Sequence, residues 1–286
     1  MPPCLDSLRV RCLPVPQIDV DPPGFKSSMN HSLQTVSYAT FSQTYESHIQ
    51  GRTFVENLAY YRRCKQRFWK SFQYIEALGL PPGSRVLDIG GGILAVLVSR
   101  LLKFDAIVGD VNERARKDVE DLGLKFVIVD LFSDETPEIE GLDLVILTEV
   151  IEHIPQPPYV VLGRIKKLLA PGGRLFLTTP NGHRFRNLVY MALGKEVLDI
   201  YRYPEPGMVL GHQHEYTLKQ MLWQAGHAGF ETEQAEYYED GFKGASLPAR
   251  IGRILAKPVG VIPYMRNGIA MTLRHPGGGE RFSGNR

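Results

Sequence analysis

Apolar and aromatic side chains recur every three or four residues through FSQTYESHI and then ENLAYYRRCKQRFWKSFQYIEALGL, between Phe41 and Leu80. That spacing lays them along one face of a helix. Pro81-Pro82-Gly83 stops the helical pattern. Beyond it come short runs rich in Val, Ile and Leu: RVLDI (85–89), AIVG (106–109), KFVIV (125–129), LDLVIL (142–147) and RLFLTT (174–179). They lack the strict alternation of a half-exposed strand, so each predicts a strand buried on both faces of a parallel sheet. The segments between them are long enough for crossover helices, such as YVVLGRIKKLLA before the Pro171-Gly172-Gly173 turn. A helix over TLKQMLWQAGHAGF, a strand near ETEQAEYY and a last strand near GIAMTLR complete the pattern. The prediction is a Rossmann-like, doubly wound α/β fold.

Pro2, Pro3, Pro14, Pro16, Pro22 and Pro23, with few aromatics around them, make residues 1–36 read as a disordered tail. Residues 37–80 read as an N-terminal helical cap, 81–275 as the α/β domain and 276–286, PGGGERFSGNR, as a flexible end. Across 181–216 the alternation is interrupted by HRFRNLVYMALGKEVLDIYRYPEPGMVLGHQHEY, which fits no strand–helix unit. An insertion of that size after the fifth strand reads as a lid or substrate loop.

A chain of 286 residues, 43% hydrophobic, can bury a sizeable core. Its formal charge of +2 provides no overall field that would demand nucleic acid or an anionic membrane, so nucleic acid is not expected as a partner. Cys4, Cys12 and Cys64 are odd in number and not closely spaced, which argues against a disulfide framework and against a thiolate zinc site. MPPCLDSLRVRCLPVPQIDVDPPG lacks the apolar core of a signal peptide, and no run approaches the roughly 20 apolar residues of a membrane span. The expectation is a cytoplasmic protein.

The first strand ends in VLDIGGGILAV, with Asp88, Gly90, Gly91 and Gly92 in a tight turn before a helix. Glycine there lets the backbone approach a ligand. Asp110 ends the second strand, twenty residues after Gly90, where a carboxylate can accept hydrogen bonds from the ribose hydroxyls of an adenosine. Asp130 ends the third and could meet the adenine; Val111 and Leu131, beside the two carboxylates, join the candidate set. Acidic strand ends around a glycine turn point to a nucleoside site.

LTEVIEHIPQP, residues 147–157, places Glu149, Glu152 and His153 just past the fourth strand. If a helical turn begins at Glu149, the three lie at i, i+3 and i+4 and share a face. Two carboxylates and an imidazole would suit Mg²⁺, Mn²⁺ or Zn²⁺. His153 could equally act as a metal-free general base, or the glutamates could simply favour the positive end of a helix dipole. Three weaker features remain. Arg62, Arg63, Lys65, Arg67 and Lys70 form either a phosphate-binding patch or a solvated helix face. His183, Arg184 and Arg186 either face an anionic substrate or belong to an ordinary polar loop. Arg250, Arg253 and Lys257, among apolar residues of SLPARIGRILAKPVGVIPYMR, suit either peripheral membrane contact or packing.

VLDIGGG, Asp110, TEVIEHIPQP, LLAPGGRLFLTTPN and GHQHEYTLKQMLWQAGHAGF, in this order over roughly residues 40–275, resemble class I S-adenosylmethionine-dependent methyltransferases. The resemblance implies a seven-stranded sheet with its last strand antiparallel and the methyl donor over the glycine turn, with Glu149 beside the reacting methyl. Tyr45, in the helix preceding the α/β domain, is a candidate lid over the donor, with packing as the equal alternative. A Glu-x-x-Glu-His arrangement similar to the one here serves metal binding in the ubiquinone-biosynthesis O-methyltransferases and the small-RNA 3′-end methyltransferases. In the latter a further histidine comes from a segment similar to GHQHEYT, which nominates His214 and, second to it, His212. One departure is Leu94, where the family usually has the last glycine of D-x-G-x-G-x-G. The resulting expectation is O-methylation of a small molecule or of a glycan or lipid-linked intermediate. The alternatives are methylation of an RNA 3′-terminal ribose, and a degenerate binding module in which Leu94 crowds the donor.

Overall fold

A computed structural model of the chain describes residues 35–55, 58–133, 137–198, 211–239 and 262–277. The proline-rich tail before residue 35 and the basic residues Arg250, Arg253 and Lys257 lie outside the described residues.

The apolar runs form the strands β1 (Arg85–Ile89), β2 (Asp105–Asp110), β3 (Lys125–Ile128), β4 (Leu142–Thr148) and β5 (Leu169–Pro180), followed by β6 (Glu231–Tyr238) and β7 (Gly268–Arg274). They make one seven-stranded sheet in the order β3-β2-β1-β4-β5-β7-β6. The first five strands run parallel, and β7 is antiparallel to both β5 and β6. This is the doubly wound sheet that the hydrophobic pattern predicts, with the antiparallel last strand that the family resemblance implies. The chain winds outward from the β1–β4 junction in both directions, and at such a switch point the loops leaving the carboxyl ends diverge and open a crevice. The glycine turn after β1 and the segment after β4 both lie there.

Alternate residues of each strand face opposite sides of the sheet. Leu144, Ile146 and Phe176 pack against α1 (Tyr38–Ile49), α2 (Leu58–Ala77), α3 (Ile93–Leu102) and α4 (Arg116–Asp121). Val145, Leu147, Leu175 and Leu177 pack on the other side against α5 (Pro158–Leu168) and α7 (Leu218–His227). Burial on both faces is why these strands carry no alternating polar positions.

Two differences from the expected elements bear on the site. Pro171-Gly172-Gly173 is not a turn between helix and strand but part of β5, which pairs Leu142 with Leu169 before its register shifts to Leu144 with Arg174. A Cβ on Gly173 would stand 2.6 Å from the Leu142 carbonyl oxygen, so only glycine lets the backbone pass there. The 181–216 segment also contains a helix, α6 (Phe185–Ala192), and its ends are fastened together. Asn181 bridges to Tyr216, and the Gly182 amide donates to the Tyr216 carbonyl at 2.9 Å. Immediately after that junction Thr217 and Gln220 form a reciprocal cap that starts α7. Among the described residues no helix is long and apolar enough to cross a membrane.

Candidate active site

The turn after β1 is built by close approach. Gly90 has φ +88, and a Cβ there would meet Val150 Cγ2 at 2.6 Å; Gly92 has φ +86. Gly91 has open space where its Cβ would be, which leaves the backbone between them accessible to a ligand. Asp88, 2% exposed, lies beneath and accepts from the Ala95 amide at 2.9 Å. Burial pushes its carboxyl up to about 6, against the opposing backbone hydrogen bonds from Ala95, Gly92 and Leu94. Asp88 thus shapes the turn from below. Asp110 ends β2 half-exposed, its Oδ1 accepting from the Asn112 amide and side chain, with Val111 exposed beside it. Asp130 is held similarly by the Phe132 amide at 2.8 Å, next to buried Leu131. A glycine cradle with two acidic strand ends along the same edge fits a nucleoside-bearing ligand.

The segment after β4 does not begin a helix at Glu149. That residue has φ +56, outside right-handed helical space, and the short 3-10 turn covers only Ile151–His153. Glu149, Glu152 and His153 therefore do not share one helical face, which corrects the expectation from their spacing. Adjacent threonines of β5 show where the two carboxylates go. Thr178 has the parity of Phe176 and donates to Glu149 Oε1 at 2.9 Å, on the side of α2. Thr179 has the parity of Leu177 and donates to Glu152 Oε2 at 3.1 Å, on the side of α5 and α7. Glu149 Oε2 is met by Arg67 of α2 at 3.3 Å, and Arg67 also donates to the Tyr60 hydroxyl at 2.9 Å.

Glu152 is 1% exposed, and its Oε1 has no hydrogen-bond partner among the described residues. Two imidazoles face that oxygen: His153 Nε2 at 3.9 Å and His212 Nε2 at 4.0 Å, their rings edge to face with centroids 4.8 Å apart. Burial raises the Glu152 carboxyl well above its usual range, and the charge of Glu149 adds to the effect. Ligand atoms of Glu152, His153 and His212 lie within 4.8 Å of one another, compact enough to hold one metal ion. Metal–nitrogen and metal–oxygen bonds of about 2.1 Å each span up to about 4.2 Å, which reaches across the 3.9 Å and 4.0 Å separations from Glu152 Oε1.

The second histidine of this group is His212, not His214. In the irregular loop before α7 the His214 ring instead lies 4.5 Å from that of Tyr216. His212 Nδ1 contacts Glu215 Oε1 at 3.1 Å. Glu215, itself almost fully buried, also accepts from Asn187 Nδ2 at 2.7 Å and from Arg184. Against the cost of burial, the His212 hydrogen bond and the Arg184 charge hold the Glu215 carboxyl below its usual range.

Tyr45 is fully buried, donates to the Tyr61 carbonyl at 3.0 Å and stacks on the Tyr61 ring, so it packs in the helical layer and is not a lid. Leu94 is 1% exposed within the same apolar cluster and does not present its side chain at an open surface. Of the α2 cations, Lys65 pairs with Glu46 and Arg67 with Glu149, which removes both from a phosphate-binding face. Arg184 is engaged with Glu215. Sequence reasoning missed Arg67, Thr178, Thr179 and Glu215 as parts of the site. The available signals were Arg67 seven residues after Tyr60 on the helix, and the polar Thr178-Thr179 pair ending an apolar strand.

Two curated relatives are ubiquinone biosynthesis O-methyltransferases. The one from Paracidovorax citrulli is 30% identical over 155 residues, covering 50% of this chain and 60% of its own length. The mitochondrial one from Candida albicans is 34% identical over 125 residues, covering 40% of this chain and 38% of its own. The chain thus spans less than two thirds of either relative's length. Among solved structures, an Archaeoglobus fulgidus SAM-dependent methyltransferase matches with a TM-score of 0.50 at 17% identity, covering 73% of this chain and 94% of that one, a likeness of fold. The methyltransferase domain model matches residues 59–235, a span holding the glycine turn, the acidic strand ends and both Glu152 and His212, and the chain belongs to that family.

Proposed function

We propose that the protein is an S-adenosylmethionine-dependent O-methyltransferase for a small-molecule or glycan acceptor, with Glu152, His153 and His212 holding a divalent cation. The observation that carries the cation is the buried Glu152 Oε1, which has no hydrogen-bond partner among the described residues and faces two imidazole nitrogens. An orphaned carboxylate oxygen costs free energy unless something positive meets it. One carboxylate and two imidazoles leave coordination positions open, a donor set better suited to Zn²⁺ or Mn²⁺ than to Mg²⁺, which prefers oxygen alone. The donor fits the glycine cradle, with Asp110 and Val111 toward the ribose and Asp130 and Leu131 toward the base.

When bound, S-adenosylmethionine supplies an electrophilic methyl group on a sulfonium, and the cation supplies positive charge that lowers the pKa of an acceptor hydroxyl. With that chemistry supplied by the donor, the chain's own residues would chiefly orient the two reactants and exclude water. Glu149, held between Thr178 and Arg67, is directed away from the cation group. The internal pairing of Lys65 and Arg67 speaks against an RNA 3′ end as the acceptor.

Calorimetry on the full chain tests this reading. S-adenosylmethionine should bind, and Asp110→Ala should weaken it at least tenfold. Zn²⁺ or Mn²⁺ should bind wild type, and Glu152→Gln should reduce that affinity severely with donor binding retained. Absence of donor binding at millimolar concentration would sink the enzymatic reading; cation affinity indifferent to Glu152→Gln would remove the metal.

A further inference from the structure

Glu215 lies outside the proposed ligand set, yet three segments converge on it. Its carboxylate meets His212 Nδ1 at 3.1 Å, and accepts from Asn187 Nδ2 at 2.7 Å and from Arg184. Asn187 is the buried residue of α6, and Arg184 immediately precedes that helix, so the start of the inserted segment grips a residue at its end. The close approach depends on Gly182, where a Cβ would stand 2.6 Å from the Glu215 carbonyl oxygen. On the other side, the amides of Gln213 and His214 both donate to the Glu152 carbonyl, at 2.7 Å and 3.3 Å. The backbone immediately after His212 is therefore fastened to the residue whose carboxylate His212 faces.

We infer that Glu215 is a positioning residue that fixes His212 with its proton on Nδ1 and its Nε2 lone pair directed at the Glu152–His153 pair. An ionised carboxylate only accepts, so the nitrogen it contacts carries the hydrogen, and the other nitrogen of a neutral imidazole is then an acceptor or a metal ligand. Arg184 and Asn187 alone would satisfy a carboxylate placed merely to tie down the loop. The third bond orients a ring whose far nitrogen ends 4.0 Å from the unpartnered Glu152 oxygen. A carboxylate behind a ligating histidine sets its tautomer and raises its basicity. The metal part of this inference rests on the proposed cation site; the tautomer part does not.

The two are read separately on the full chain. Histidine ¹⁵N spectra of the metal-free protein should show His212 protonated on Nδ1, and Glu215→Ala should shift it toward the other tautomer. Zn²⁺ affinity measured by calorimetry should fall about 10- to 100-fold in the same variant. Glu215→Gln, which keeps the side-chain volume, guards against misfolding and should show a smaller loss in the same direction, with circular dichroism confirming the fold of both variants. Folded variants in which the tautomer and the Zn²⁺ affinity both stay at wild-type values would overturn the inference. If wild type binds no Zn²⁺ but the tautomer shifts in Glu215→Ala, the positioning role stands and the cation reading falls.

Discussion

Asp88 and Gly90 show how single positions shape the crevice. Asp88 is buried beneath the glycine turn, and its folded-state pKa, about 6, lies above its ordinary value of 3.8. The folded protein thus keeps this proton to a higher pH than the unfolded chain does. The group's contribution to stability is fully present below about pH 4 and is lost as pH rises through about 6. Relative to Asp88→Asn, wild type should lose about 3 kcal/mol between pH 4 and pH 7, roughly two units at about 1.4 kcal/mol each. Urea unfolding of both proteins across that range measures it, and a difference that is flat or moves in wild type's favour would refute the assignment. Gly90→Ala must accommodate a methyl group 2.6 Å from Val150 at positive φ. It should cost about 1–3 kcal/mol in thermal or urea unfolding. An alanine variant as stable as wild type would mean that the turn is less constrained than its geometry indicates.

Among the elements, β5 sorts the two glutamates. Because Thr178 and Thr179 point to opposite faces, one carboxylate is given to α2 and the other to the loop before α7. The Arg67–Glu149 pair then ties the N-terminal helices to the end of β4. Removing one partner of a largely buried ion pair leaves the other charge uncompensated. Arg67→Met should therefore cost up to about 3 kcal/mol, allowing for the pair's partial exposure, and adding Glu149→Gln should recover part of it. A denaturation cycle over the two single variants and the double variant gives the coupling, and strict additivity would show that the pair does not act as a unit. The strands were legible because burial on both faces leaves near-continuous Val, Ile and Leu. The division of Glu149 from Glu152 was not: it depends on the left-handed backbone at Glu149 and on partners 29 and 27 residues away. His212 and His214 differ by two positions in a loop without periodicity, so only the fastening of Gln213 and His214 to the Glu152 carbonyl shows which ring turns inward. Tyr45 sits at a helical spacing that serves packing and substrate contact alike, and its hydrogen bond to Tyr61 decides for packing.

At the scale of the whole molecule, the switch point between β1 and β4 brings the glycine cradle and the Glu152 group to one edge of a single sheet. A ligand bound there only in the folded state stabilises the whole domain by mass action. S-adenosylmethionine at a hundred times its dissociation constant should add about 2.7 kcal/mol to the unfolding free energy, read as a concentration-dependent rise in Tm. A Tm independent of donor concentration would contradict the cradle assignment. The most direct test of the central claim is an anomalous difference map from crystals of the full chain grown with S-adenosylmethionine and Mn²⁺. A single strong peak is expected among Glu152 Oε1, His153 Nε2 and His212 Nε2; an absent peak, or one at Glu149 or His214 instead, would refute the cation site.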